Sequence, residues 1–147
     1  MRIADLAREH QRIGIDSNVV IYALEGSGRE STTAGALFDL MAAGACGGVL
    51  SILGLIEVLV GPARHVGDAL VQRYADELME LDGLAITGID REAAVEAAHV
   101  RAAGTPLADA IHLASARRFG ASAFVTNDRR VKPVQGLEVI ALADVLA

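Results

Sequence analysis

The sequence predicts an α/β fold, a single domain with a mostly parallel central sheet and helices on both faces. Three observations lead to this prediction. The length of 147 residues fits one domain with one core. Hydrophobic residues make up 52% of the chain, which excludes a disordered protein. Short apolar runs alternate with longer segments of helical periodicity, and this alternation is typical of parallel strands covered on both faces.

The charged residues 1–12 are expected to form an N-terminal extension, either a short helix or a loose segment, before a domain at 13–147. The domain begins with the apolar residues 13–15, which indicate a short buried strand. Asp16, Ser17 and Asn18 come next. These residue types cap helices, so we expect a helix to start near Asn18.

A second helix and a second strand are predicted next. The hydroxyls of Ser31, Thr32 and Thr33 are candidate caps for the helix. The glycines at positions 44, 47 and 48 are expected to end it. The apolar residues 49–50 then form a brief strand.

Residues 52–60 form a predicted helix that stops at Gly61-Pro62, because this pair usually interrupts helices. A longer helix follows, in which apolar side chains recur every four residues at Val66, Leu70, Tyr74 and Leu78. Residues 84–87 are predicted to be the third strand.

Asp90 is expected to begin an alanine-rich helix that continues to about Ala103. Thr105 is the predicted cap of the next helix, with Pro106 at its first position, and this helix runs to about Phe119. Residues 123–126 and 137–140 are the last predicted strands.

Composition excludes several classes of function. The 13 Lys and Arg against 19 Asp and Glu give a net charge of −6, which excludes a globally basic nucleic-acid binder. Two Tyr, three Phe and no Trp cannot form an aromatic platform for single strands. Cys46 is the single cysteine, so no intramolecular disulfide forms. The first residues do not resemble a secretory signal peptide, and the most apolar run, residues 49–60, is too short to span a bilayer. We therefore expect a cytoplasmic protein that does not enter membranes.

Four carboxylates are candidate site residues. Asp16 and Asp128 each follow a predicted strand at its carboxyl end, where open α/β sheets bind ligands. Glu57 is the only charge in residues 49–60, and its helix face carries Leu53, Ile56 and Val60, so its carboxylate is expected to point toward apolar packing. Asp109 lies in the first turn of its helix, where the helix dipole favours an ionised acid.

Each acid also has a structural interpretation. Asp16 can cap a helix, Asp109 can be an ordinary first-turn acid, and Asp128 can be a turn residue. Glu57 can pair with an arginine or lie on a helix edge that is more exposed to water than its apolar neighbours indicate. His112, one turn after Asp109, is interpreted as a structural histidine. Several carboxylates in one pocket repel one another, however, and need a cation. Oxygen ligands select Mg²⁺ or Mn²⁺, and no Cys/His set with zinc spacing is present.

Four segments together resemble the acidic motifs of PIN-domain ribonucleases, and their size and order are most similar to VapC-type toxins of bacterial toxin–antitoxin pairs. The segments are 15–21 (IDSNVVI), 51–58 (SILGLIEV), 107–114 (LADAIHLA) and 124–128 (FVTND). The likeness covers about residues 13 to 142. Two features depart from the pattern, the residues before the first strand and Arg129-Arg130-Val131 after Asp128.

This resemblance implies a single PIN-like domain with Asp16 and Asp109 as the principal Mg²⁺ ligands. Glu57 and Asp128 would complete the acidic cluster. Two polar residues would support it, Asn18 and Thr126.

The resemblance further implies a Mg²⁺-dependent endoribonuclease, with Mn²⁺ as a possible substitute, that acts as the toxin of a pair with a small antitoxin. We also expect a homodimer. Five cations are candidate contacts for the RNA backbone or, alternatively, solvated surface charges: Arg117, Arg118, Arg129, Arg130 and Lys132. Two alternatives remain open. One is a non-catalytic PIN-fold module that receives a basic segment of a partner, and the other is a domain that accepts a phosphoryl group on Asp16.

Overall fold

The computed structural model describes residues 1–147 and contains five strands and seven α-helices. The strands are β1 (Arg12–Ile15), β2 (Gly47–Ser51), β3 (Leu84–Thr87), β4 (Ala123–Thr126) and β5 (Glu138–Ala141). The helices are α1 (Ile3–Glu9), α2 (Ser17–Glu25), α3 (Arg29–Ala42), α4 (Ile52–His65), α5 (Asp68–Glu80), α6 (Arg91–Ala102) and α7 (Leu107–Arg118). A short 3₁₀ helix at Leu142–Asp144 follows β5.

The five strands form one sheet in the order β3-β2-β1-β4-β5, and every neighbouring pair is parallel. The predicted parallel sheet is therefore confirmed. The chain moves from β1 to β2 on one side and later returns to β4 on the other, so the strand order reverses at β1. Ile15 pairs with Val125, which places the residues after β1 and the end of β4 side by side. Open α/β sheets bind ligands at such a reversal, outside the carboxyl ends of the strands.

Helices cover both faces of the sheet, as the sequence predicts. Alternate residues of a strand point to opposite faces. Ile13 and Ile15 of β1 belong to the larger core, which is formed with α1 to α5. Phe124 of β4 points the other way, into a smaller core that includes Val100 of α6 and Leu113 of α7.

Gly14 lets α7 lie directly against the centre of the sheet. A Cβ atom at this position would be 2.6 Å from Cβ of Ala116 and 2.7 Å from Cδ2 of Phe124. Carbon atoms normally pack at about 3.5–4.0 Å, so a side chain at position 14 would push the helix away from β1. The position of α7 matters because this helix carries Asp109 and His112.

The first residues of the chain are packed into the fold. The sequence predicts that residues 1–12 precede the domain; in the structure, Ile3–Glu9 form α1, whose Ile3, Leu6 and Ala7 lie in the larger core, and Arg12 is already the first residue of β1. The N–H of Ile3 donates to the carbonyl of Leu146 at 2.7 Å, so the two ends of the chain are joined. Burial of these apolar side chains explains why the segment is a helix rather than a loose extension.

The start of α3 differs from the prediction. The helix begins at Arg29 after Gly28, which has a positive φ of 87°. The hydroxyls of Ser31, Thr32 and Thr33 donate backward to carbonyls four or five residues earlier, so they do not cap the helix. Gly44, with a φ of 79°, follows its end, whereas the glycines at 47 and 48 belong to β2.

The predicted stop at Gly61-Pro62 is wrong, because α4 continues to His65. Pro62 is buried, and its carbonyl accepts the N–H groups of Val66 and Gly67 where the helix ends. Val66 is consequently exposed and outside α5, whereas Tyr74 and Leu78 are buried as expected.

Of the caps predicted for α6 and α7, only the first is observed. Asp90 caps α6 by accepting the N–H of Ala93 at 2.7 Å, as predicted. The predicted cap at Thr105 is wrong, because Pro106 has an extended backbone and is itself the N-cap of α7. Its carbonyl accepts the N–H of Ala110 at 2.8 Å. None of the helices combines the length and apolar character needed to cross a membrane.

Candidate metal-binding site

Polar side chains from three strand ends and two helices meet at the carboxyl edge of the sheet. Asp16 follows β1, Ser51 ends β2 and Thr126 ends β4. Glu57 comes from the second turn of α4, and His112 comes from α7. This convergence follows from the parallel topology, which brings the carboxyl ends of neighbouring strands to one edge.

Asp16 is buried, with 6% of its surface exposed, and both of its oxygens are held. Its Oδ1 accepts the N–H of Ser17 at 2.8 Å, so the residue caps α2. Its Oδ2 accepts the hydroxyl of Thr126 at 2.7 Å and faces the amide nitrogen of Asn18 at 3.4 Å. The capping interpretation is therefore correct and leaves the second oxygen at the site.

Asn18 and Thr126 connect Asp16 to the loop after β4. The hydroxyl oxygen of Thr126 accepts the N–H of Asp128 at 3.0 Å. The side-chain oxygen of Asn18 accepts the N–H of Asn127, also at 3.0 Å. The bond from Asn127 fixes the start of the loop relative to α2, whereas the bond from Asp128 holds the loop to the end of β4.

Glu57 lies at the edge of the protein rather than inside it. Its side chain is 39% exposed, and on the same face Ile56 is 54% exposed and Val60 36%. The expected apolar packing around this carboxylate is therefore absent, and the buried face of α4 is formed by other residues. The partner of Glu57 is a histidine rather than an arginine, because its Oε1 lies 2.5 Å from Nε2 of His112.

His112 is buried and bonded through both ring nitrogens. Its Nδ1 lies 2.7 Å from Oγ of Ser51, and that oxygen also accepts the N–H of Gly54 at 3.0 Å. The ring stacks on Phe124 with a centroid separation of 6.5 Å. Sequence reasoning left both Ser51 and His112 out of the candidate site. Ser51 stands at a strand's carboxyl end and His112 one turn after Asp109, and these positions were the available signal.

Asp109 is half-buried in the first turn of α7, and the charges of the other acids change its pKa. Burial raises the pKa of its carboxyl, and the negative charge of Asp16 raises it further. The charges of Asp128 and Glu57 act in the same direction, while His112 opposes them. The structure thus brings the other three predicted acids within electrostatic range of Asp109.

Asp128 is neutralised within the chain. Arg130 binds it through two side-chain contacts of 3.0 and 2.9 Å, and its backbone N–H donates to the same carboxylate at 2.9 Å. These bonds lower the pKa of Asp128. The turn interpretation of Asp128 is therefore correct, and its carboxylate is already occupied by a guanidinium.

The closest group of possible ligands differs from the predicted four acids. One oxygen each of Asp16 and Glu57 and one ring nitrogen of His112 lie within 4.8 Å of one another. The carboxylates offer the hard oxygen atoms that Mg²⁺ and Mn²⁺ prefer. A cation at this position would also oppose the charges that raise the pKa of Asp109. The residues present therefore fit a divalent cation.

The five predicted RNA contacts lie at different places. Arg117 and Arg118 are eight and nine residues beyond Asp109 on α7, about 12 Å along the helix axis, and they pair with Glu96 and Asp90. Arg129 pairs with Asp144 at 2.7 Å.

Two of the five border the acidic cluster. Arg130 and Lys132 line a groove of about 350 Å³ together with Asp109 and residues 103–106. Arg117 and Arg118 are thus placed away from the acids, whereas Arg130 and Lys132 lie beside them.

Comparison with known families agrees with this architecture. The PIN domain family model matches residues 13–137. A search of curated protein sequences finds no significant match.

Solved structures with the same fold include VapBC2 from Rickettsia felis bound to a promoter DNA fragment, at 16% identity and a TM-score of 0.70, over 88% of this chain and 98% of that chain. A toxin–antitoxin complex from Klebsiella pneumoniae is 22% identical with a TM-score of 0.64, over 89% of this chain and 97% of that chain. VapC20 from Mycobacterium tuberculosis, a sarcin–ricin-loop-cleaving toxin, is 14% identical with a TM-score of 0.59, over 77% of this chain and 86% of that chain.

Proposed function

The chain belongs to the PIN-domain family, and from this premise we propose that it is a Mg²⁺-dependent endoribonuclease that hydrolyses phosphodiester bonds of RNA. The observation that carries the proposal is the convergence of Asp16, Glu57 and Asp109 at one sheet edge, where the charges of Asp16 and Glu57 raise the pKa of Asp109. The similar fold of VapC20, a toxin that cleaves the sarcin–ricin loop, supports RNA as the substrate class.

Asp16, Glu57 and Asp109 would hold the divalent cation, and Asp128 would join them if its pair with Arg130 opened. Lewis-acid chemistry for phosphodiester hydrolysis is what such a cation supplies when it is bound. The protein's own contribution is to orient the ligands. Thr126 and Asn18 hold Oδ2 of Asp16.

The cations beside the acids would contact the RNA backbone. Arg130 and Lys132 line the groove that leads to Asp109, and the side chain of Arg130 is 90% exposed. A phosphate group and Asp128 would compete for the same guanidinium, because both accept two parallel hydrogen bonds from arginine. Arg129 lies between Asp128 and Arg130 in the sequence and pairs with Asp144.

The test is incubation of the purified protein with mixed cellular RNA, with Mg²⁺ or with a chelator. We expect cleavage that requires the metal and that falls at least about 100-fold in Asp16→Asn and Asp109→Asn. Asp76→Asn is the matched control, since Asp76 is an exposed acid on α5 that lies outside the acidic cluster. Cleavage that resists the chelator, or that persists in both site variants, would contradict the proposal. Intact RNA with a metal-binding protein would favour the non-catalytic partner-binding module.

We further propose that the protein is the toxin of a toxin–antitoxin pair and forms a homodimer. The Klebsiella pneumoniae structure of the same fold is a toxin–antitoxin complex. Within this chain, Asp128 already binds the guanidinium of Arg130, so the acidic edge accepts the kind of cation that an antitoxin segment would insert. Such an arginine or lysine would face Asp16, Glu57, Asp109 or Asp128 and compete with metal and RNA.

Growth of a host cell provides the test of this role. Expression of the protein alone should arrest growth, and co-expression with a small neighbouring open reading frame should restore it and yield a co-purifying complex. Harmless expression of a folded, nuclease-active protein would reject the toxin role and leave the nuclease proposal intact.

A further inference from the structure

We infer that His112 is a positioning residue, which holds one oxygen of Glu57 so that the other oxygen is left for the cation, and that it is not itself a metal ligand. The inference rests on the proposed metal-dependent function. Proximity alone groups a ring nitrogen of His112 with the two carboxylates as a possible ligand. The hydrogen bonds of the ring lead to a different assignment.

The proton on the ring can be located from its partners. A carboxylate only accepts hydrogen bonds, and Oε1 of Glu57 lies 2.5 Å from Nε2, so Nε2 carries the proton and donates it. The hydroxyl of Ser51 is 2.7 Å from Nδ1 and can donate its proton to that nitrogen. The same hydroxyl oxygen accepts the N–H of Gly54 through a lone pair, so both roles are compatible. Every donor in this chain of bonds then has an acceptor. A protonated nitrogen has no lone pair to offer a metal.

The packing around the ring opposes a change to metal ligation. His112 is 3% exposed, and its ring lies against Phe124 on one side. Gly54 is close on another side, where even a Cβ would lie 3.6 Å from Cε1 of the ring. Rotating the ring to free Nε2 would break the bond to Ser51 inside a buried site, at the cost of an unsatisfied polar group.

Ser51 connects this arrangement to the backbone of α4. Its hydroxyl oxygen caps that helix at Gly54, and Glu57 stands three residues further along the same helix. The chain from Ser51 through His112 to Glu57 therefore links the end of β2, α7 and α4. Mutation of a residue that orients a metal ligand through a hydrogen bond typically lowers metal affinity by about 10- to 100-fold.

The ring proton can be observed directly by ¹H–¹⁵N NMR of the metal-free protein, with His112→Gln used for assignment. We expect a slowly exchanging Nε2–H for His112 and an unprotonated Nδ1. The exposed rings of His65 and His99 are internal controls that should exchange rapidly. Addition of saturating Mg²⁺ should leave the Nε2–H signal in place. Loss of that proton on Mg²⁺ binding, or an Nε2 without a proton in the metal-free protein, would overturn the inference.

Two variants separate the bond to Glu57 from the loss of the ring. The amide nitrogen of His112→Gln reaches the position of Nε2 and can still donate to Glu57, whereas the shorter His112→Asn reaches only the position of Nδ1. Calorimetry with Mn²⁺ should show His112→Gln within about threefold of the parent affinity and His112→Asn weaker by about 10- to 100-fold. Equal affinities of the two variants would overturn the positioning role. If the parent binds no metal and cleaves no RNA, the proposed function fails, while the NMR signal still reports whether Nε2 donates to Glu57.

Discussion

Gly14→Ala adds one methyl group at the point where α7 crosses β1. The added Cβ would stand 2.6 Å from Cβ of Ala116 and 2.7 Å from Cδ2 of Phe124. A normal carbon contact is about 3.5–4.0 Å, so α7 or the ring of Phe124 must move by about 1 Å. Ala116 is 1% exposed and Phe124 2%, so neither has free space to occupy. Overpacking of this kind costs about 1–3 kcal/mol.

Both stability and site chemistry should respond to this change. In a domain of this size, 1 kcal/mol shifts the midpoint of thermal unfolding by about 2–4 °C, so we expect Tm to fall by about 2–12 °C. A 1 Å displacement of α7 also moves Asp109 and His112, and misplacement on this scale can reduce catalysis by about 100-fold. Circular dichroism at increasing temperature measures Tm, and the RNA cleavage assay measures the second effect.

Gly35→Ala is the matched control for this experiment. Gly35 lies inside α3, where a Cβ meets no atom within 4 Å. Alanine should therefore stabilise the protein, by about 0.5–1 kcal/mol, because it restricts the unfolded chain and favours the helix. A Tm of Gly14→Ala at or above the parent value, or equal losses in both variants, would refute the packing argument.

Two further predictions concern the acids. Burial and the charges of Asp16, Asp128 and Glu57 raise the pKa of Asp109 in the folded state, so its ionised form disfavours folding and the metal-free protein loses stability as pH rises from about 4 through that raised value. Asp109→Asn should remove this loss, so its free energy of unfolding in urea at pH 7 should be about 0.5–1 kcal/mol higher than that of the parent. The gain should vanish near pH 3. A variant that is less stable than the parent at pH 7 would contradict the predicted direction of this effect. Thr126→Val should cost about 1–3 kcal/mol and weaken Mn²⁺ binding about tenfold, because Asp16 loses a donor and the N–H of Asp128 an acceptor. Thr126→Ser keeps the hydroxyl, and equal calorimetric and unfolding results for the two variants would argue against this role.

Local patterns predicted most of the elements. The strands at 84–87 and 123–126 match β3 and β4 residue for residue, and Asp16 and Asp90 cap helices as expected. These features depend on runs of a few residues, whose hydrophobic period and capping groups are visible in the sequence. Where a local group has two possible partners, sequence reasoning chose wrongly. The hydroxyl of Ser31 can cap a helix ahead of it or bond to a carbonyl behind it, and the fold selects the second.

The sequence by itself determined which acids are available and that Asp16 and Asp128 follow strands, so it predicted their shared edge once the strands were taken as parallel. Tertiary structure alone decided how these groups are paired. His112 and Glu57 are 55 residues apart in the chain and meet at 2.5 Å, whereas Asp128 turns to Arg130, its neighbour two residues away. The physical reason is one of scale. Topology brings groups to the same edge of the sheet, but hydrogen bonds depend on distances to within a few tenths of an ångström. Only the packing of α4 and α7 against the sheet sets those distances.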